Sequence, residues 1–386
     1  MKRFPISNRN ILTILAVALL AVGIPLLVII SQQLQKTGEH AATSNKRIPF
    51  GGSKWFLVGY DYPWNNYGYD FSNSSSNVHG QYSTVNNTFA DLQANGTHVT
   101  RWFVFNDFRA APLVNNNTGM VTGLPVNFFQ SFDDALAIAH RHNIYLIPDM
   151  LDGITLLGKN STNVSVHSKI FTDPIVRQSF FDNAVKPMLQ RYGNNRNILA
   201  WSPINEPDFE TQGVDPGNFY TIPYADMQDF MRQFTQYVHT YTSQMATIEN
   251  ASQHLTHFWT GLGFDFYSPH FYDWMTQYWS DSDPVTTPAS SLNLDKPVVI
   301  GEVPSSGSQY SVQQYLDAIY TNGYAGVLFW SVNGSDSASN YNGTKSILKT
   351  WAQTHARDVN ITKKNFALRQ QSIVLTSPHQ SPPPAP

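Results

Sequence analysis

Eight short apolar or aromatic runs, separated by stretches of helical periodicity, constrain this chain more than any other feature. The runs are Trp55–Tyr60, His98–Phe105, Asn143–Pro148, Ile198–Ile204, Met245–Asn250, Phe264–His270, Pro297–Glu302 and Tyr324–Ser331. Most are bounded by Gly, Asn or Pro, as expected for strands buried on both faces. Helical spacing of apolar residues marks Thr84–Ala94, Phe128–His142, Pro174–Tyr192, Tyr224–Tyr241, Val312–Thr321 and Ser346–Ala356. The fifth unit is the weakest, because its helix has to fit between Ser252 and Leu262. Strands alternating with helices call for a parallel sheet, and eight such units call for closure into an α/β barrel of the (β/α)8 kind. That block spans residues 50–360, within the usual size for such a barrel.

The flanks read differently. Residues 1–10 carry Lys2, Arg3 and Arg9, and residues 11–30 hold no charge at all. Twenty apolar residues match the hydrocarbon thickness of a bilayer. The exit, Ile29-Ile30-Ser31-Gln32-Gln33, lacks the small-x-small pattern of a cleaved signal peptide. The expectation is a single transmembrane signal anchor, basic end cytoplasmic and catalytic block outside, or a secreted protein if the segment is cleaved. Residues 31–49 read as a polar spacer, and 361–386 as an extension ending in the Pro-rich run Ser381-Pro382-Pro383-Pro384-Ala385-Pro386. About ten Asn-x-Ser/Thr sequons, among them Asn86, Asn95, Asn160, Asn163, Asn250, Asn333 and Asn342, fit an exported domain. Chance in a chain this rich in Asn, Ser and Thr accounts for about half of them.

Composition narrows the chemistry. Charged residues make up only 13% and the net charge is −3, so there is no electrostatic case for nucleic acid. Aromatics also reach 13%, with 9 Trp, 19 Tyr and 24 Phe, which suits a neutral polar ligand with apolar faces, such as a sugar. Filling a barrel and its helix layer accounts for most of them. The absence of Cys excludes disulfides, thiolate nucleophiles and Cys-ligated zinc. His140 and His142 sit at a helix end beside Arg141, a solvated face and not a metal site. No Gly-rich phosphate loop and no Gly-x-Ser-x-Gly element occurs. No cofactor and no metal is expected.

The chemistry concentrates at two strand ends. Asn197-Ile198-Leu199-Ala200-Trp201 leads into Ser202-Pro203-Ile204-Asn205-Glu206-Pro207-Asp208, where a Pro stops the strand just after a carboxyl group. Lys296-Pro297-Val298-Val299-Ile300-Gly301 leads into a second, Glu302. The two glutamates are 96 residues apart, three βα repeats at roughly 32 residues each. They fall on strands four and seven, at the C-terminal face, across the barrel mouth from one another. Two such carboxylates are the minimum equipment for cleaving a glycosidic bond.

Asn205-Glu206-Pro207 after strand four, Gly301-Glu302 on strand seven and Trp330 ending strand eight resemble the clan A glycoside hydrolases, most nearly the cellulase and mannanase type of family 5. The resemblance covers about residues 55–355. It implies a retaining β-glycosidase acting by double displacement on an oligo- or polysaccharide of the β-glucan or β-mannan type. Glu206 is then the general acid and base and Glu302 the nucleophile, with carboxyls about 5–5.5 Å apart. Asn205 donates to the sugar 2-hydroxyl, Arg101 keeps the nucleophile ionised, His270 touches substrate and Tyr272 hydrogen-bonds Glu302. Trp330 floors the subsite at the bond cleaved.

Each assignment has a plainer rival. Glu206 could be a surface acid in a turn, Glu302 a structural acid at a strand end, Asn205 a turn former before Pro, and Arg101 a partner for any acid. His270 could equally be a satisfied structural histidine. Trp64, Tyr62 and Trp102 are weaker candidates for neighbouring subsites, and packing is the better role for Trp102. Asp61, Asp149 and Asp152 lie near strand ends, where hydroxyl binding competes with capping or turn roles. The chain also departs from the family. Asp149-Met150-Leu151-Asp152 has Leu where a His often follows the strand-three carboxylate, and Val303-Pro304-Ser305-Ser306 lacks the usual aromatic. Two other functions use the same features: a transglycosylase with the same site, and a non-catalytic carbohydrate-binding barrel.

Overall fold

The computed structural model describes residues 47–158, 163–215 and 222–361. The anchor, most of the spacer and nearly all of the C-terminal extension lie outside the described residues. Among the described residues, no helix is long and apolar enough to cross a membrane.

The barrel closes as the alternation of signals requires. Strand one (Leu57–Tyr60) pairs in parallel with strand eight (Gly326–Trp330), and strand eight with strand seven (Val299–Pro304). Strand two (Val99–Phe103) pairs with strand three (Tyr145–Asp149), and strand four (Ala200–Trp201) with strand five (Met245–Ala246). Single parallel bridges complete the ring: Leu146 to Ile198, Asn205 to Glu249, Tyr267 to Val298 and His270 to Glu302. Strands one and two meet through the His98 N–H on the Val58 carbonyl at 3.0 Å, and strands five and six through the Ser268 N–H on Ile248 at 3.0 Å. Strands four and five are shorter than their apolar runs, and the sixth run, Phe264–His270, pairs only through the isolated bridges at Tyr267 and His270.

Outside the ring, helices Tyr82–Ala94, Phe128–Arg141, Tyr224–Tyr241 and Val312–Thr321 fall where periodicity placed them. The helix over Pro174–Tyr192 contains one π turn, Phe181–Val185, just before Pro187. Proline lacks an N–H and crowds the carbonyl four residues back, and a widened turn relieves both. The helix after strand eight begins at Tyr341, earlier than the expected Ser346, because Asn340 caps it through the Gly343 N–H at 3.1 Å. Unit five has only a 3-10 segment, Gln253–Trp259, and unit six two short ones, Asp273–Gln277 and Ala289–Leu292. An antiparallel hairpin, Ile48–Phe50 with Ser53–Trp55, precedes strand one.

Two apolar layers result. The larger fills the space between strands and helices. The smaller comprises Leu57, Val99, Tyr145, Ile147, Leu199, Phe266, Val299 and Leu328 with Ile48 and Trp55 of the hairpin. Side chains alternate along a strand, so the residues two or four further on share its face. Those residues are Asp61, Arg101, Asp149 and His270, all without accessible surface. The interior thus passes from apolar at one end to charged at the mouth. Strand seven reaches that layer through a bulge: Ile300 pairs with Val327 but Val303 with Phe329, an extra residue that turns Glu302 inward.

Candidate active site

Glu206 and Glu302 come together as the strand ends required, 9% and 4% exposed. One carboxylate oxygen of each, with a ring nitrogen of His270, lie within 4.8 Å of one another. That separation suits direct attack on a sugar and leaves no room for a water between the acids. The backbone of Glu206 is left-handed, φ 49° and ψ 51°, a conformation few side-chain-bearing residues adopt. Pro207 follows it, and the Glu206 N–H is tied to the Glu249 carbonyl at 2.7 Å, which holds the carboxyl at the mouth.

Glu302 is surrounded by donors. Arg101 Nη2 donates to Oε1, and the Tyr272 hydroxyl to Oε2 at 2.6 Å. Burial by itself would raise this carboxyl, but His270, Arg101 and Tyr272 outweigh it and hold the group below the usual carboxylate range. Glu206 behaves oppositely: burial raises it above that range, against the hydrogen bond from His270. Two carboxyls with environments that pull their affinities for protons apart are the signature of an acid and a nucleophile.

Asn205 Oδ1 accepts from Arg101 Nη1 at 2.8 Å, which fixes the amide so that Nδ2 is the group left to donate. Trp330 and Trp64 are both half-buried, with ring centroids 5.9 Å apart and planes at 71°. Trp330 Nε1 donates to Asp336 at 2.9 Å, and Asn333 donates to the Trp64 carbonyl at 2.7 Å. Tyr67 packs edge-on against Trp64 and donates to Asp152 at 2.8 Å, so Asp152 is engaged within the wall.

Several expectations need correction. His270 was expected to touch substrate, but it has no accessible surface; Nδ1 faces Glu206 Oε1 at 2.9 Å. Burial would lower this ring, yet Glu302, Glu206 and Glu249 together push it up to about 10. Arg101 is likewise fully enclosed and serves the carboxylates, not the sugar. Asp61 and Asp149 bind no hydroxyls: they are buried 3.7 and 3.9 Å from the Arg101 guanidinium, and burial raises both well above the carboxylate range. Tyr62 is buried, and Trp102 packs in the outer core with Nε1 on Asp70 at 2.8 Å. His140 and His142 contact Asn197 and Asn86, away from the mouth.

Sequence reasoning missed Glu249, which ends strand five as Glu206 ends strand four; the same strand-end logic would have found it. It also missed an aromatic pair on the loops after strands four and six, where Phe209 and exposed Trp274 have ring centroids 6.4 Å apart. The Glu206, His270 and Glu302 set has ligand-like spacing, but a fixed guanidinium donating to Glu302 repels a cation, so these residues do not fit a metal.

No family model matches the chain. It is 25% identical over 334 residues to a mannan endo-1,4-beta-mannosidase from Mytilus edulis, covering 75% of this chain and 87% of that protein. The solved endo-1,4-beta-mannanase of Eisenia fetida superposes with a TM-score of 0.68 at 26% identity, over 80% of this chain and 93% of that one. The beta-mannanase structure from Mytilus edulis gives a TM-score of 0.70 at 21% identity, over 81% and 96%. The resemblance to clan A glycoside hydrolases of the family 5 type therefore holds. This chain is a retaining O-glycosyl hydrolase for β-linked glycans.

Proposed function

We propose that the enzyme cleaves β-1,4-mannan within the chain, with Glu206 as proton donor and Glu302 as nucleophile. The observation that carries this reading is the buried glutamate pair, with the donors concentrated on Glu302. The relatives named above, which act on mannan, support the choice of substrate.

The steps follow from the geometry. Glu302, ionised beside Arg101, attacks the anomeric carbon while Glu206 gives its proton to the departing glycosidic oxygen. A glycosyl ester on Glu302 results. Glu206, now a carboxylate, takes a proton from a water that displaces the ester, and configuration is retained. Asn205 Nδ2 donates to the sugar 2-hydroxyl, a contact that tightens as the ring flattens toward an oxocarbenium ion. The Trp330 face stacks beneath the sugar at the bond cleaved, with Trp64 serving the next unit on that side. Phe209, three residues beyond the proton donor, and its ring neighbour Trp274 would contact the leaving chain.

The N-terminal segment 11–30 would anchor the protein in a membrane with its barrel outside the cytoplasm, or be removed on secretion. Membrane fractionation with protease protection of the intact chain tests this; a protected barrel domain rejects it.

The functional test is hydrolysis of soluble β-1,4-mannan, mixed-linkage β-glucan and carboxymethyl cellulose, scored by new reducing ends and fall in viscosity. Mannan should give an early viscosity drop with internal cleavage products. Glucan cleavage without mannan cleavage would overturn the substrate. No cleavage of any β-glycan would overturn the activity itself.

A further inference from the structure

The run Val303-Pro304-Ser305-Ser306, where the chain departs from the family 5 pattern, takes no part in the steps above. Neither does the loop after strand eight, residues 331–340. The two are knit together around Trp330. Ser305 Oγ donates to the Trp330 carbonyl at 2.6 Å, and the Ser305 N–H is shared between that carbonyl at 3.2 Å and the Ala338 carbonyl at 2.9 Å. The Asn340 N–H donates back to Ser305 Oγ at 2.8 Å. Gly334 lets the loop fold tightly, since a Cβ there would collide with the hydroxyls of Ser331 and Ser339.

Asp336 sits within this loop and faces two ways. Oδ1 accepts the Ala338 N–H at 2.9 Å and the Ser339 hydroxyl at 3.1 Å, which is ordinary turn chemistry for an aspartate. Oδ2 accepts the Trp330 indole N–H at 2.9 Å, a contact the turn does not need. Trp330 is thereby held at both ends, its carbonyl by Ser305 and its ring edge by Asp336. With both ends fixed, the two side-chain torsions of the tryptophan have little freedom left.

Trp64 depends on the same loop. Asn333 Nδ2 donates to its carbonyl at 2.7 Å, and Phe103 stacks on its ring with centroids 6.0 Å apart and planes at 27°. Asp336 is exposed, where a hydrogen bond competes with water and adds little to folding. A sugar lying over Trp330 would shield this one from water and strengthen it.

We propose that Asp336 is a positioning residue for the glycosidase reaction: by holding the Trp330 indole N–H, it sets the tilt of the face on which the sugar at the cleaved bond stacks. The proposal rests on the two-glutamate reading of the site and on that placement of the sugar. A floor free to tilt lets the anomeric carbon drift from Glu302, and attack is sensitive to small displacements. The rival role for Asp336 is to hold its own loop and nothing more.

A double-mutant cycle separates the two roles. Asp336→Ser keeps a hydroxyl that can accept the Ala338 N–H but is too short to reach the indole. Trp330→Phe keeps an aromatic face and has no N–H, so it lowers activity by itself. The four proteins are compared on a glycan and on an activated aryl glycoside that the wild type cleaves. D336S should lower kcat/KM about ten-fold in the wild-type background and less than about two-fold in W330F. The loss should be the same on both substrates, because the sugar over Trp330 is common to them and a good leaving group does not replace its floor. The second readout is the indole N–H resonance of Trp330, assigned by its absence from W330F. In D336S it should shift and exchange with water about ten-fold faster. Equal losses in both backgrounds, no loss in either, or an unmoved indole signal would overturn the proposal. If D336S does not fold, Asp336→Ala takes its place in the cycle and is judged by the same outcomes. Failure of the glycosidase reading looks different: the wild type cleaves neither substrate, while the indole signal still moves in D336S.

Discussion

At the scale of single residues, the site works by giving two identical side chains opposite surroundings. Glu302 is reached by a guanidinium and a phenol; Glu206 is reached by a ring nitrogen at the end of a strained turn. Removing one donor from Glu302 should show this directly. Tyr272→Phe keeps the ring and deletes the hydroxyl that lowers the Glu302 carboxyl, so that carboxyl rises. The acid limb of kcat/KM should move to higher pH, with a loss of about 10- to 100-fold in kcat/KM at the optimum. Glu302→Ala should abolish turnover. Glu206→Ala should spare aryl substrates whose leaving groups need no proton, and slow mannan cleavage by at least a thousand-fold. Comparing initial rates on the two substrate types checks both variants at once. Equal losses on both in Glu206→Ala would remove it as the acid.

At the scale of elements, strand ends supply chemistry and helix ends supply stability. Helix Val312–Thr321 opens with a capping box in which Ser311 Oγ accepts the Gln314 N–H at 3.3 Å and Gln314 reaches back to the Ser311 N–H at 2.9 Å. Ser311→Ala should cost about 1 kcal/mol in urea unfolding and leave kcat/KM unchanged. Strand seven is less tolerant. A Cβ at Gly301 would lie 2.4 Å from Glu249 Oε2 and 2.5 Å from Ser268 Oγ, inside the charged layer. Gly301→Ala should therefore displace Glu302 as well as destabilise the barrel, and lower kcat/KM about a hundred-fold, measured on protein whose circular dichroism is native.

At the scale of the whole molecule, the barrel encloses more acid than it neutralises. Burial pushes Asp70 up to about 6, Asp208 to about 7 and Glu210 to about 8, so the folded protein holds protons that the unfolded chain has released. Stability from these groups is fully present below the unfolded carboxylate range, near pH 4, and is lost as pH rises through 6 to 8. Each contributes a slope of about 1.4 kcal/mol per pH unit within its own window. Urea midpoints from pH 4 to 8 should fall with pH, and Asp208→Asn should flatten the slope. That variant should also be less stable at pH 4, because Asp208 accepts from both Ala251 N at 2.6 Å and Trp259 Nε1 at 2.8 Å. A slope unchanged in Asp208→Asn would show that its carboxyl is not held protonated.

The amino-acid sequence by itself determined the eight-unit barrel, the strand ends that carry Glu206 and Glu302, and most of the helix limits. Those follow from local periodicity and from Pro, Gly and Asn stops, which act within a few residues. It did not show that His270 and Arg101 are sealed beneath the glutamates, that Asp61 and Asp149 are not substrate ligands, or that Glu249 joins them. Which strand-end side chains face inward depends on barrel closure and on one bulge in strand seven. Whether a charged side chain meets sugar or another charge depends on neighbours more than a hundred residues away, such as Arg101 and Glu302. Proton affinities follow from that enclosure, since burial and through-space charge exist only once the chain has closed on itself.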